Sequence, residues 1–217
     1  GSLGPEWSTN SSTSNGRIEV SNVLGTPANS GSYHLAMDSR VPGPFNLNEA
    51  VLTVDLSGTT EASLSFAHKD VNDEDQGLPP TFLNSFGGDG VSISDDGTTW
   101  HRLTALNNAN SPNQVYTEFD FDLDQAAANA GIGLGANFQI KFQQFDNFPF
   151  NSDGRAFDDI NVAVPGPLNE TTTTFLEADQ TLTVVAAPDD DTVTLTVTVR
   201  DPSNTVLATA TAAGPGE

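Results

Sequence analysis

The chain has 217 residues, 29 acidic against 7 basic side chains, a formal net charge of -22, and no cysteine. That balance excludes nucleic-acid phosphates and anionic membrane surfaces as partners, because both are bound through Lys and Arg. It favours divalent cations, whose hard ligands are carboxylate oxygens, while the missing cysteines exclude disulfides, thiolate metal sites and thiol nucleophiles.

Val, Thr, Ile and Phe recur in short segments split by Gly, Pro, Asn and Asp, which predicts an all-β fold. The Ser/Asn-rich opening, residues 1–16, has Trp7 as its one large anchor. Strands are predicted at 18–23, 31–37, 49–56 and 62–70. In the third of these, Leu52, Val54 and Leu56 share one face. Residues 70–89 form a long acidic loop, of the kind that is functional or disordered in a compact domain. A strand at 91–93 leads into DDGTTW, where Asp96-Gly97 is a hairpin signal before Trp100. Residues 116–123 alternate, with Phe119, Phe121 and Leu123 on one face and Glu118, Asp120 and Asp122 on the other. The best helix candidate, 124–130, follows.

Residues 138–164, FQIKFQQFDNFPFNSDGRAFDDINVAV, predict two strands joined by a polar loop that carries aromatics. Ile140 and Phe142 alternate with Lys141 and Gln143, the pattern of a strand with one solvated face. In the second strand, Asp158 and Asp159 stand before an apolar end. Asp158 shares the parity of Ile160 and Val162, so without a bulge it is the inward one, where it needs hydrogen bonds or a metal. Residues 165–169 read as a linker. Residues 170–217 read as a separate small or truncated Thr/Val-rich β module with a break at 188–191. The abrupt start at GSLGPEW and the stop at GPGE read as a piece of a longer protein.

A search for catalytic groups finds no GxSxG elbow and no HExxH, and His34 and His68 lie in apolar strands as structural histidines. Glu118, Asp120 and Asp122 faintly resemble the alternating-acid strand of laminarinase-type glycoside hydrolases, but Asp122 stands where that pattern needs Glu. The expectation is a non-enzyme, with a glycoside hydrolase as an alternative. Residues 95–100 fit the DxGxTW part of an Asp-box hairpin, a folding device. Residues 70–75 place oxygen ligands as a calcium loop does, without the EF-hand glycine at the sixth position, where Asp75 stands. The metal candidates are Asp158 and Asp159, with Glu49 as a third carboxylate, together with Asp70 and Asp146, and the expected ion is Ca²⁺. Phe145, Phe148 and Phe150 share a loop with Asn147, Asn151 and Asp153, which suits carbohydrate recognition: ring faces meet sugar C–H groups and polar groups meet hydroxyls. The bland alternative is that two of these phenylalanines plug the end of the fold.

The segments GSYHLAMD, NEAVLTVDL, LSFAHKD, DGVSISDDGTTWHRL, FQIKFQQFDN and GRAFDDINV, in that order, resemble the meprin-type MAM domain and its bacterial relatives in the concanavalin-like jelly-roll group. The resemblance implies an antiparallel β-sandwich (jelly roll) over 1–164 and a bacterial extracellular or cell-surface setting. It also implies a non-catalytic role in adhesion or recognition, with a glycan or another surface protein as partner. A structural Ca²⁺ near the first and last strands would suit Asp158 and Asp159. Animal MAM domains carry cysteines, and this chain has none. The family's acidic-aromatic opening is absent too, which implies an open sheet edge that the Thr/Val-rich tail of this chain or the next would fill. Self-association through that tail, as a subunit of a surface layer or fibre, is the alternative reading.

Overall fold

A computed structural model describes residues 1–151 and 153–164, and the strands Thr194–Arg200 and Val206–Ala213. The chain divides into two units, Gly1–Leu168 and Asn169–Glu217. In the first, one antiparallel sheet runs in the order β1 (Trp7–Ser11), β4 (Asn46–Val54), β10 (Phe138–Asp146), β7 (Gly90–Ser94), β8 (Thr99–Ala105), β6 (Thr81–Leu83). The other runs β2 (Gly16–Ser21), β3 (His34–Ser39), β11 (Gly154–Ala163), β5 (Ser63–Val71), β9 (Thr117–Asp122). They pack face to face as an antiparallel jelly-roll β-sandwich. In the second unit, β12 (Thr194–Arg200) and β13 (Val206–Ala213) pair as an antiparallel hairpin. The expected linker and the break at 188–191 lie outside the described residues.

The core follows from strand alternation. Ala50 and Leu52 of β4, Phe138, Ile140 and Phe142 of β10, and Val91 and Ile93 of β7 face Leu35 and Met37 of β3, Leu64 and Phe66 of β5, and Phe157 of β11. Phe66 is the hub: it stacks on Phe119 at 5.1 Å and meets Phe142 edge-on at 5.5 Å. Each fully buried ring of this kind contributes about 1.5–3 kcal/mol. Helix α1 (Leu123–Ala130) packs Leu123 and Ala127 against this core. It begins one residue before the predicted start, because Asp122 accepts the Gln125 amide at 2.8 Å as N-cap, and it stops at Gly131 in the left-handed region, φ 72°.

Toward one end of the sandwich, the inward face of every long strand changes from apolar to polar at one level. Along β10 the inward series Phe138, Ile140, Phe142 continues as Gln144 and Asp146; along β4, Leu52 and Ala50 give way to Asn48 and Asn46. Along β5, Leu64 and Phe66 are followed by His68 and Asp70, opposite Phe157 and Arg155 of β11. The result is a buried polar floor beneath one rim.

Three expectations change. Lys141 and Gln143 do not face water: residues 76–89 fold back over that sheet, and Leu78, Phe82 and Trp100 form a second small core there. Gln143 donates to the Phe86 and Gly88 carbonyls at 2.8 and 2.7 Å. The register of β11 on β5 shifts between Asp158 and Asn161, so Asp158 loses the parity of Ile160 and Val162 and does not point into the core. Finally, β1 and β6 form in stretches that read as non-strand. Both are edge strands, stabilised by pairing on β4 and β8 rather than by their own pattern.

Candidate metal centre and aromatic surface

The polar floor concentrates acids around one cation. Arg155, fully buried, donates from Nε to Asp73 Oδ2 at 2.9 Å, and from Nη2 to Asp89 Oδ2 and the Glu74 carbonyl, both at 3.1 Å. Asp75 and Asp70 lie farther from it, at 3.5 and 3.9 Å. Asp70 Oδ1 in turn accepts the Asp73 amide, and Gln144 donates to Asp73 Oδ1 at 3.1 Å. The acidic run at 70–75 is therefore wound around Arg155 and does not form a self-contained ion loop.

Beside this hub, carboxylate oxygens of Asp73, Glu74 and Asp146 all lie within 4.8 Å of one another. Asp146 comes from the inward series of β10, and Asp153 from the residue before β11. Asp146 Oδ2 and Glu74 Oε2 are buried and have no hydrogen-bond partner. Among the described residues, neither Glu74, Asp146 nor Asp153 forms a salt bridge. Burial, reinforced by the charge of Asp153, pushes Asp146 up to about 7, while burial, with Glu74 and Asp38 nearby, pushes Asp153 up to about 6. Desolvation also raises Asp73 well above its ordinary range, against the pull of Arg155. Carboxylates without a counter-ion and with unsatisfied oxygens fit a hard divalent cation, which would replace the lost hydration.

The other predicted metal residues sit elsewhere. Glu49 is on the far face of its sheet, where Lys141 Nζ donates to it at 2.7 Å while lying 4.0 Å from the Trp100 ring centre. Asp158 and Asp159 form a clasp for residues 29–30: Asp158 Oδ2 accepts the Asn29 and Ser30 amides at 2.7 and 3.2 Å, and Asp159 bonds the Asn29 and Ser30 side chains. Those side-chain donors hold Asp159 below the usual carboxylate range. The structure does not bring Glu49 together with Asp158 and Asp159. Of the predicted metal residues, Asp146 is in the carboxylate group and Asp70 supports it through Asp73. Sequence reading had Asp73 and Glu74 within the calcium-like run 70–75 without singling them out, and missed Arg155 and Asp89. A signal for the centre did exist: the simultaneous switch of inward parity positions from apolar to polar.

The predicted ligand residues lie at this same rim. Phe148 and Phe150 stand 61% and 43% exposed and pack edge-to-face, centroids 5.0 Å apart. Asn147 is half-buried between them and β10, Asn151 is exposed, and Asp153 is buried. Phe145 is only half-buried and meets Phe45 edge-on at 6.2 Å. Phe45 is itself 62% exposed, next to Asn46, which pairs with Asp146. Phe45 and Phe86, both absent from the sequence-level reading, are further exposed rings; Phe86 packs on Phe82 at 6.1 Å. A polar rim with solvent-facing rings can meet a ligand that offers both C–H faces and hydroxyls. The acids of the alternative enzyme reading, Glu118, Asp120 and Asp122, are exposed on the edge strand β9, and Asp122 is occupied as the helix cap.

No family model matches the chain, and no curated protein matches it. Solved structures do. A family 11 carbohydrate-binding module from Clostridium thermocellum, in complex with a β-1,3-1,4-mixed-linked tetrasaccharide, aligns over 76% of this chain and 91% of its own, with 12% identity and a TM-score of 0.43. The module TmCBM61, in complex with β-1,4-galactotriose, aligns over 74% of this chain and 90% of its own, with 12% identity and a TM-score of 0.40. The enzymatically active domain of tailspike protein 4 from bacteriophage CBA120 aligns over 74% of this chain and 20% of its own, with 13% identity and a TM-score of 0.41. All three superpose loosely on this chain.

Proposed function

We propose that this chain is a non-catalytic module that recognises carbohydrate through Phe145, Phe148 and Phe150, with Asn147 and Asn151 as polar partners, and is stabilised by Ca²⁺ at Asp73, Glu74, Asp146 and Asp153. One observation carries the reading: exposed aromatic rings stand on a loop rooted in a carboxylate group in which Arg155 pairs with Asp73 alone, while Asp146 and Glu74 have unpartnered buried oxygens and no cation. Calcium suits the site because the available donors are carboxylate oxygens. The ion would supply charge and hold the rim together, with no chemical step. An extracellular or cell-surface setting and a MAM-like affiliation belong to the same proposal, and rest on the segments quoted above.

The recognition half is tested by affinity electrophoresis through gels containing soluble β-glucan, galactan, xylan or mannan. At least one polymer should retard the protein, and F148A/F150A should abolish the retardation while leaving the melting temperature unchanged. Retardation that survives the double substitution would overturn the assignment of the surface. The metal half is tested by thermal melting: EDTA should lower the melting temperature, and added CaCl₂ should restore it.

A further inference from the structure

The loop at 147–151 leaves β10 through Asp146 and enters β11 through Asp153, so a member of the carboxylate group stands at one end and an acid whose charge it feels at the other. The same two side chains hold the backbone of its aromatic residues. The Phe148 amide donates to Asp146 Oδ1 at 3.1 Å, and the Phe150 amide donates to Asp153 Oδ1 at 3.2 Å. Otherwise the two rings pack on each other and neither joins a cluster of the hydrophobic interior. The rings themselves are thus not fixed by the core; the loop is held by the buried Pro149 between them and by the two carboxylates. Those carboxylates repel each other and Glu74, and the second oxygen of Asp146 has no partner.

We propose that a divalent cation bound by Asp73, Glu74, Asp146 and Asp153 sets the pose of the Phe148–Phe150 pair, so that the aromatic surface takes its binding form only when the site is loaded. This rests on the reading of that surface as the recognition surface. A cation ligated by Asp146 Oδ2 fixes the plane of the carboxylate, and with it the direction in which Oδ1 meets the Phe148 amide. Asp153 would orient the Phe150 amide in the same way. Without the ion, repulsion turns both acceptors away from amides that have no other hydrogen-bond partner among the described residues.

The test uses the full chain, ¹⁵N-labelled, with CaCl₂ alone as probe. The Phe148 and Phe150 amide resonances should move on loading while those of Phe66 and Phe119 stay in place. Retardation by polysaccharide should disappear in EDTA and return with calcium. E74Q removes one charge of the site without touching either amide bond; it should weaken calcium binding by about tenfold, and the two amides should follow that weaker curve. If E74Q does not fold, D153N gives the same comparison for the Phe148 amide. Amides that stay still at saturating calcium, or that move at the same concentrations in E74Q as in the wild type, overturn the proposal. The recognition reading fails separately, if no polymer retards the calcium-loaded protein, and the amides still decide the coupling.

Discussion

Replacing Arg155 with Met tests the argument that one guanidinium organises the polar end. Arg155 is fully buried, bonds Asp73 and Asp89 at 2.9 and 3.1 Å, and lies within 4 Å of Asp70 and Asp75. Met fills most of its volume but leaves Asp73 and Asp89 buried without a cation, a loss of about 3–5 kcal/mol. For a chain of this length each kcal/mol moves the melting temperature by about 2–4 °C, so the expected drop is ~6–20 °C. Arg155→Lys should fall between, because one ammonium reaches Asp73 or Asp89 but does not span both as the planar fork does. Calorimetry or far-ultraviolet circular dichroism reads the melt. Calcium bound next door would be the remaining positive charge, so the loss should be larger in EDTA than in CaCl₂. A melting temperature within ~2 °C of wild type in EDTA would refute the reasoning, since that is less than the 1 kcal/mol step above.

The metal-free protein should show an unusual pH response. Asp146 and Asp153, raised to about 7 and about 6, hold protons in the folded chain that the unfolded chain has released, so their contribution to stability is full below the ordinary carboxylate range and is lost as pH rises through about 7. His34 and His68, lowered by burial, act in the opposite sense as pH falls. Melting in EDTA is therefore compared with D146N, which should remove the Asp146 share of the loss between about pH 4 and about pH 7 and leave the Asp153 and histidine responses; identical profiles would end the argument. Lys141→Met should destabilise by about 3–5 kcal/mol, because Glu49 then stays buried without its partner, and Lys141→Met with Glu49→Leu should recover much of that loss. Gly154 adopts φ 146°, and a Cβ there would meet the Met37 carbonyl oxygen and Asp38 Cβ. Gly154→Ala should cost roughly 1–3 kcal/mol and lower calcium affinity by displacing its neighbour Asp153, both readable in one calcium-dependent melt.

Much of the sandwich was legible because alternation is a local signal. Leu52 with Ala50, Phe138 to Phe142, and Phe119 with Phe121 declare their faces within a few residues of chain. The helix was legible from the run at 124–130 alone; its caps, Asp122 and Gly131, are local signals that the sequence reading left unused. The residues that escaped are those whose environment comes from far away in sequence. Lys141 reads as solvated, and is buried only because a segment more than fifty residues earlier folds over it, carrying the Asn84 carbonyl that accepts its proton. Asp158 reads as inward because a bulge leaves no mark in the alternation. The aromatic loop was found and the metal residues only partly, since Asp146 joins Asp73 and Glu74 through strand register rather than through spacing.

The net charge of -22 alone said little about where the acids act, and the few basic residues say more. Of the 7 Lys and Arg, Lys69, Lys141 and Arg155 are buried and Arg17 is half-buried, each against a specific partner. Arg17 pairs with Asp38, Lys141 with Glu49, and Arg155 with Asp73 and Asp89. A chain this poor in cations commits more than half of them to buried or half-buried carboxylates and aromatic rings, rather than to its surface. Against that pattern Asp146 and Asp153 are the exception: buried acids at the rim, joined to Glu74 by proximity and to no cation by contact. Everywhere else in the described interior a carboxylate this enclosed has a Lys or Arg nitrogen within 4 Å. The two that do not are the two that anchor the aromatic loop, and a divalent ion is the partner that would complete the same rule there.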